Sequence, residues 1–431
     1  MNFKEEYQKK LCSQAEIYQY IHDGDYIGTG FAGCEPIAFF KGLHTIADRI
    51  SHIDISHSLE MLHYEFQEEP YREKFTSETF FLMGPGRKAM TAGAAVYVPG
   101  NLHHAAIRQV ESQEFDVFVC AVSPMDELGY FRTSLCSIAE DLYANAAKQI
   151  VLEVVPNMPV IYGENTIHIS DVTAVFESDR PVPMVNSVAL TEEDIQIGQY
   201  VAPLVEDGST IQLGIGAIPD AIAKAFMDKK DLGIHTEMIT NSVADLLEAG
   251  VVTGRKKTLH KGKVIGTFAL GNKKLYDILA ENPAVAIMPG QYVNDPSVIA
   301  QNDRMVSINT AICVDFTGQV ASESIGPRQY SGSGGQSDTA IGAIHAKGGK
   351  SIIALHSTAK NGEVSTINPY LPLGSIVTLS RNNIDYIVTE YGVAEMKNRS
   401  TAYRAKALID IAHPKFREEL LRQAKELGYL S

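Results

Sequence analysis

One pattern occurs twice in this chain and limits what it can fold into. The segment Asp23-Gly24-Asp25-Tyr26-Ile27-Gly28-Thr29-Gly30-Phe31-Ala32-Gly33-Cys34-Glu35-Pro36 is echoed about 184 residues later. The second copy reads Asp207-Gly208-Ser209-Thr210-Ile211-Gln212-Leu213-Gly214-Ile215-Gly216-Ala217-Ile218-Pro219. Each has an Asp-Gly turn, a short apolar strand, a Gly-rich loop and a proline expected at helix position N1. A helix is predicted ahead of each, over about 7–22 and 193–206. A match at this spacing predicts duplication of an α/β domain. Chance recurrence of Gly-rich turns is the plainer alternative.

The rest of the chain agrees with α/β. Continuous apolar strands are expected at 116–122, 149–155, 264–270, 284–288, 351–355 and 386–389, with helices at 138–148, 220–227 and 403–412. Such strands alternating with helices predict a mostly parallel sheet covered on both faces. A length of 431 residues exceeds what one core usually supports. The run Asp179-Arg180-Pro181-Val182-Pro183 reads as the linker, and Thr191-Glu192-Glu193-Asp194 as the cap of the next helix. The expectation is two similar open α/β domains, 1–183 and 184–431.

Composition excludes several classes. A net charge of −15 disfavours a nucleic-acid partner, which needs a basic face. It does not exclude an anionic ligand held by local donors. The longest apolar runs, such as Ala284-Val285-Ala286-Ile287-Met288, are far shorter than the roughly 20 residues of a membrane helix. No apolar segment follows Met1-Asn2-Phe3-Lys4-Glu5-Glu6, so no secretory signal is expected. Cys12, Cys34, Cys120, Cys136 and Cys313 have neither disulfide-framework nor zinc spacing. The expected location is the reducing cytoplasm.

Gly28-x-Gly30-x-x-Gly33 is on paper a dinucleotide fingerprint. The acidic partner is misplaced: Asp48 precedes the next strand instead of ending it. The second copy lacks the spacing altogether, so an unliganded strand-to-helix turn is the simpler account. Glu237 stands in the apolar run Gly233-Ile234-His235-Thr236-Glu237-Met238-Ile239-Thr240. A carboxylate there is costly unless paired or used, and burial would make it a nucleophile of raised pKa. A solvent-facing edge strand is the alternative. Ser331-Gly332-Ser333-Gly334-Gly335-Gln336-Ser337-Asp338 offers many backbone N–H groups to an oxyanion. The basic run Arg255-Lys256-Lys257, with His260, Lys261 and Lys263, reads as a phosphate contact or a solvated loop. Lys360 follows a buried strand at the end where α/β sheets place ligands. His103-His104, taken as strand neighbours on opposite faces, makes no chelating pair. Neither a GxSxG elbow nor a GxxxxGK[ST] loop occurs.

Together these segments resemble the acetyl-CoA hydrolase/transferase branch of the glutamate-dependent CoA-transferases, the branch of 4-hydroxybutyrate and butyryl-CoA:acetate enzymes. The resemblance rests on Gly214–Pro219, Leu232–Met238, Tyr292-Val293-Asn294-Asp295-Pro296, Gly318-Gln319-Val320 and Ser331–Asp338. It continues through Lys347–Leu355, Val388–Ala394 and Ile411–Arg417, and more loosely through Val122–Gly129. It implies two α/β domains with the active site between them. It implies a ping-pong CoA transfer between 4-hydroxybutyryl-CoA or butyryl-CoA and acetate, through a glutamyl-CoA thioester on Glu237. By the same resemblance Gln212, Leu213, Gly214, Ile215, Gly216, Ile312, Gly334 and Lys360 bind CoA, and Asn294 orients the glutamyl group.

Coenzyme A would enter as substrate and covalent intermediate, with no permanently bound cofactor and no metal. The implied partners are acyl-CoA, short carboxylates and a second copy in a homodimer, with no nucleic acid or membrane. Three positions depart from the family pattern. Thr339 stands where Phe is usual, Ile341 where Arg is usual, and Thr366 replaces another Arg. These bear on acyl specificity and on the balance of charge near the site. The alternatives are an acyl-CoA hydrolase on the same fold, a CoA-binding regulator without activity, and a nicotinamide-dependent oxidoreductase.

Overall fold

The structure, a computed structural model, describes residues 2–431. They form two compact units. The first holds the residues up to Val185 together with Ile265–Val293. The second holds Asn186–Val264 and Asn294–Ser431. The boundary follows the Pro-rich linker closely. The expected second domain, 184–431, is interrupted, because the segment Ile265–Val293 packs with the first unit. Its backbone is bonded there: Ser137 N–H donates to Thr267 O (2.8 Å), Ala269 N–H to Leu135 O (2.8 Å) and Gly290 N–H to Ser137 O (2.8 Å).

The first unit is built on seven parallel strands: β1 (Tyr26–Thr29), β2 (Ile53–Ser56), β3 (Phe75–Thr79), β4 (Ala95–Tyr97), β5 (Val117–Val122), β6 (Gln149–Val154) and β7 (Ala174–Glu177). Their order is β4-β3-β2-β1-β5-β6-β7. Central strands β1 and β5 are buried throughout, as two covered faces require. Ile27, Ile53, Ile55, Val117, Val119 and Val151 pack with Phe39, Phe40, Phe66 and Phe75 as its core.

The second unit contains β8 (Thr210–Leu213), β9 (Gly233–Ile239), β10 (Met305–Thr310), β11 (Lys350–Ala354), β12 (Tyr386–Thr389) and β13 (Gly392–Glu395). They run β9-β8-β10-β11-β12-β13. All these pairings are parallel except the closing β12–β13 hairpin. Its core gathers Ile353, Leu355, Ile387, Leu408, Ile411 and Leu420 around Phe316.

The repeated motif has the same place in both units. β1 lies between β2 and β5, and β8 between β9 and β10, so each is the strand at which the order reverses. Each Gly-rich loop therefore leaves the carboxyl end of its strand at a topological switch point, where open α/β sheets bind ligands.

Local details depart from expectation for identifiable reasons. The first predicted helix is split into Phe3–Lys10 and Gln14–Ile17. Ser13 opens a fresh helix through a capping box with Glu16. The helix before the second copy runs Glu192–Val201, capped as expected by Thr191 with Asp194. Neither proline takes position N1. Pro36 is the N-cap of Ile37–Leu43, and Pro219 is the third residue of Ala217–Ala225. His103-His104 lies on the helix Leu102–Ser112, not on a strand.

Candidate active site

The two Gly-rich loops differ in what surrounds them. In the first copy the glycines are filled against protein. A Cβ on Gly28 would lie 2.7 Å from the Phe115 ring, one on Gly33 2.7 Å from Leu135, and one on Gly30 would strike the Cys34 carbonyl. No backbone there is free to approach a dinucleotide, and close packing accounts for the GxGxxG spacing. In the second copy Gly216, with φ of +117°, has nothing within 4 Å of a built Cβ, and Gly214 has only Pro219 at 3.7 Å. Ile215 between them is 49% exposed. This loop presents open backbone at the head of the helix Ala217–Ala225.

Glu237 lies in β9, one strand over from that loop. Its neighbours His235, Thr236 and Met238 are buried, while Glu237 itself is half-buried. Asn294 Nδ2 donates to Glu237 Oε2 at 3.1 Å, and the Gly335 N–H donates to the same carboxyl. Asn294 is fully buried. It directly precedes Asp295, whose side chain caps the helix Pro296–Ile299 by accepting from Ser297 N–H at 2.7 Å. Gly335 is the N-cap of the helix Gln336–His345. A Cβ on Gly335 would collide with both Glu237 Oε2 and Asn294 Nδ2. Glycine is thus required here by proximity, not by dihedral angle.

Burial pushes the Glu237 carboxyl up to about 7. The negative charge of Asp338, buried in the first turn of Gln336–His345, pushes the same way. The Asn294 and Gly335 bonds partly offset both. The carboxyl is thus poorly solvated as an anion and is held by two donors, on a residue that is half-buried rather than sealed. Those are the properties of a carboxylate nucleophile whose carbonyl oxygen can be stabilised when it becomes an oxyanion.

The other expected residues distribute as follows. Gln212 and Leu213 end β8, and Gly214, Ile215 and Gly216 form the open loop. Gln212 joins a polar cluster: the Ser307 hydroxyl, with one proton to give, lies 3.2 Å from Gln212 Oε1 and 2.9 Å from Thr339 Oγ1, and Asn309 Nδ2 donates to Thr339 Oγ1 (3.2 Å). The unusual Thr339 therefore ties its helix to β10 and, through Ser307, to β8. Gly334 is buried beside Gly335, at φ of +50°. Ile312 donates its N–H to Ala321 O at 2.9 Å. Lys360 is exposed, and with Asn361 forms the left-handed turn of a small hairpin. Among the described residues no hydrogen bond or ion pair joins Ile312 or Lys360 to Glu237. Lys257 of the basic run is no phosphate contact. It is 4% exposed, and its ammonium donates to Ile234 O (2.7 Å) and Lys263 O (2.9 Å). Sequence singled out neither Gly335 as the donor nor Asp338 as the neighbouring charge. Both stand in the Gly-rich motif, which was the available signal.

Comparison with known proteins follows the same lines. The profile of the acetyl-CoA hydrolase/transferase N-terminal domain matches residues 1–186, and that of the C-terminal domain matches 271–424. A 4-hydroxybutyrate coenzyme A transferase of Clostridium kluyveri is 42% identical over 427 residues, covering 99% of this chain and 100% of that protein. A butyryl-CoA:acetate CoA-transferase of Anaerostipes caccae is 37% identical, covering 99% of this chain and 98% of that one. Among solved structures, RipA from Yersinia pestis superposes with a TM-score of 0.94 at 35% identity, each chain fully covered. A 4-hydroxybutyrate CoA-transferase from Porphyromonas gingivalis gives 0.83 at 34%, covering 99% of this chain and 100% of that one.

Proposed function

The chain belongs to the acetyl-CoA hydrolase/transferase family, and from that premise we propose that it moves CoA between a short-chain acyl-CoA, 4-hydroxybutyryl-CoA or butyryl-CoA, and acetate. The observation that carries this reading is the Glu237 carboxyl, raised by burial and held by Asn294 and the Gly335 amide. The names of the relatives supply the substrate class.

In this reading the Glu237 carboxylate attacks the thioester carbonyl. The C–S bond breaks, leaving an acyl-glutamyl anhydride and CoA thiolate. The thiolate attacks the glutamyl carbonyl and expels the first acid, giving a glutamyl-CoA thioester. Acetate attacks that thioester and releases thiolate, which takes the acetyl group from the new anhydride and restores Glu237. Thioester is exchanged for thioester, so the sequence needs no ATP. In this reading Asn294 Nδ2 and the Gly335 N–H, which hold the carboxyl in the resting enzyme, receive the oxyanion that forms on the glutamyl carbonyl when thiolate and then acetate attack it. The open loop at Gly214–Gly216 would receive the pantetheine arm. Its binding, remote from the reacting carbon, is energy available to the chemical step.

The test is to incubate the protein with butyryl-CoA, quench with borohydride and map the peptides by mass spectrometry. A modified Glu237 is expected. An unmodified Glu237 in active enzyme would falsify the reading. Thiol release with no carboxylate acceptor present would instead assign hydrolysis.

A further inference from the structure

Three residues stand level across the middle of the second unit's sheet. β8 pairs with β9 through Ile211 opposite Ile234, and with β10 up to Leu213 opposite Ile308. Carried past the end of β8, the same register sets Gly214 between Glu237 on one side and Asn309 on the other. Level residues of neighbouring parallel strands share a face of the sheet. Two strand spacings, about 10 Å, thus separate the Glu237 and Asn309 backbones, and Gly214 puts no side chain between them. The helix Gln336–His345 covers this face and touches both residues. Gly335 donates its N–H to the Glu237 carboxyl. Thr339, one turn on and bonded through its N–H to Gly335 O (2.9 Å), accepts from Asn309 Nδ2 at 3.2 Å.

The surrounding hydroxyls fix which way the Asn309 amide points. Its Nδ2 lies 3.2 Å from Thr339 Oγ1 and 2.9 Å from Ser307 Oγ. Each hydroxyl has one proton, and both protons are used elsewhere. Thr339 gives its own to Gln336 O (3.3 Å), and Ser307 gives its own to Gln212 Oε1 or to Thr339 Oγ1. Towards Asn309 both can only accept, so the amide nitrogen must face them. The oxygen is turned away. Among the described residues its one donor is Gln212 Nε2 at 3.5 Å, longer than N–H···O bonds usually are. Asn309 is half-buried, not sealed. A carbonyl oxygen of fixed orientation therefore stands beside the open Gly214–Gly216 loop, with most of its accepting capacity unused.

An acceptor so placed calls for a ligand that donates. The pantetheine arm of CoA carries an amide N–H two methylenes from its sulfur. Resting on the transfer reaction proposed above, we propose that Asn309 Oδ1 accepts the hydrogen bond of this first amide. The sulfur then lies towards Glu237, with the arm crossing the gap left by Gly214. The contact holds the thiolate in line with the glutamyl carbonyl, and Ser307 and Thr339 act through Asn309 by keeping its oxygen turned to the arm.

The experiment gives the full chain two truncated donors, with acetate as acceptor. The butyryl thioester of N-acetylcysteamine keeps that N–H, and the butyryl thioester of 2-mercaptoethyl acetate has an ester oxygen in its place. The parent should use the amide donor with a kcat/KM about tenfold higher, the worth of one hydrogen bond. Asn309→Leu, similar in shape, should erase the difference by lowering the amide donor alone. The parent comparison stands by itself if that variant folds poorly. Equal use of the two donors by the parent overturns the proposal. So does an equal loss on both in Asn309→Leu, or a loss seen with 4-hydroxybutyryl-CoA and not with butyryl-CoA. Butyryl-CoA run alongside separates the two readings. A parent that transfers no CoA sinks the reaction and this contact together, whereas transfer with equal use of the truncated donors sinks the contact alone.

Discussion

At the residue scale the chemistry depends on how few atoms surround one carboxyl. In the proposed mechanism Glu237 must be ionised to attack, and burial pushes its pKa up to about 7. Activity limited by this group should fall about tenfold per pH unit below that value, seen in kcat/KM profiles of the free enzyme. The same shift has a consequence for stability. Its folded pKa lies above the unfolded one, so the native state favours the neutral form. Removing the charge with Glu237→Gln should abolish turnover yet raise Tm at pH 8, with the gain shrinking towards pH 5. A melting series across that range checks the sign. Asn294→Ala removes one oxyanion donor and should cost about 100- to 1,000-fold in kcat. Gly335→Ala should be as damaging, because the added methyl occupies the space of Glu237 Oε2 and Asn294 Nδ2. Glu237 was legible in the sequence as a carboxylate set in an apolar run. The amide of Gly335 was not, since a run of glycines does not reveal which N–H faces the acid.

At the element scale the two copies of the strand-loop motif have separate fates. Both stand at the reversal of strand order. Their glycines were indistinguishable in sequence. Only packing separates them: Phe115 and Leu135 fill the first, while in the second Gly214 meets only Pro219 and Gly216 meets none of the described residues within 4 Å. Neighbours so distant in the chain leave no local signature. The same limit explains Lys257, which joined a surface-like basic run yet is sealed under backbone carbonyls. Thr339 carries a prediction for its helix. Thr339→Val removes the acceptor shared by Ser307 and Asn309. Ser307 and Asn309 keep acceptors in Gln212 Oε1 and Ser307 Oγ, so a loss of about 1 kcal/mol, the net worth of one hydrogen bond, is expected in urea melts. Strand positions were read to within a residue or two, whereas helix ends moved wherever a cap such as Ser13 intervened.

At the scale of the whole molecule, two halves were legible from the repeat, but the assignment of residues 265–293 was not. That segment looks like any other strand and helix run in a second domain. Its backbone is bonded to that of Leu135 and Ser137, residues far back in the chain. A fragment ending at residue 185 therefore lacks part of its own fold. It should show reduced near-UV dichroism and rapid proteolysis, and supplying the missing residues in the intact chain should restore both. The interruption also sets the timetable of synthesis. Chains usually complete their amino-terminal domain first as they emerge from the ribosome. Here that domain must wait for Val293, by which time Asn186–Val264 has already been made. Neither half can finish early, and both mature in the last third of translation.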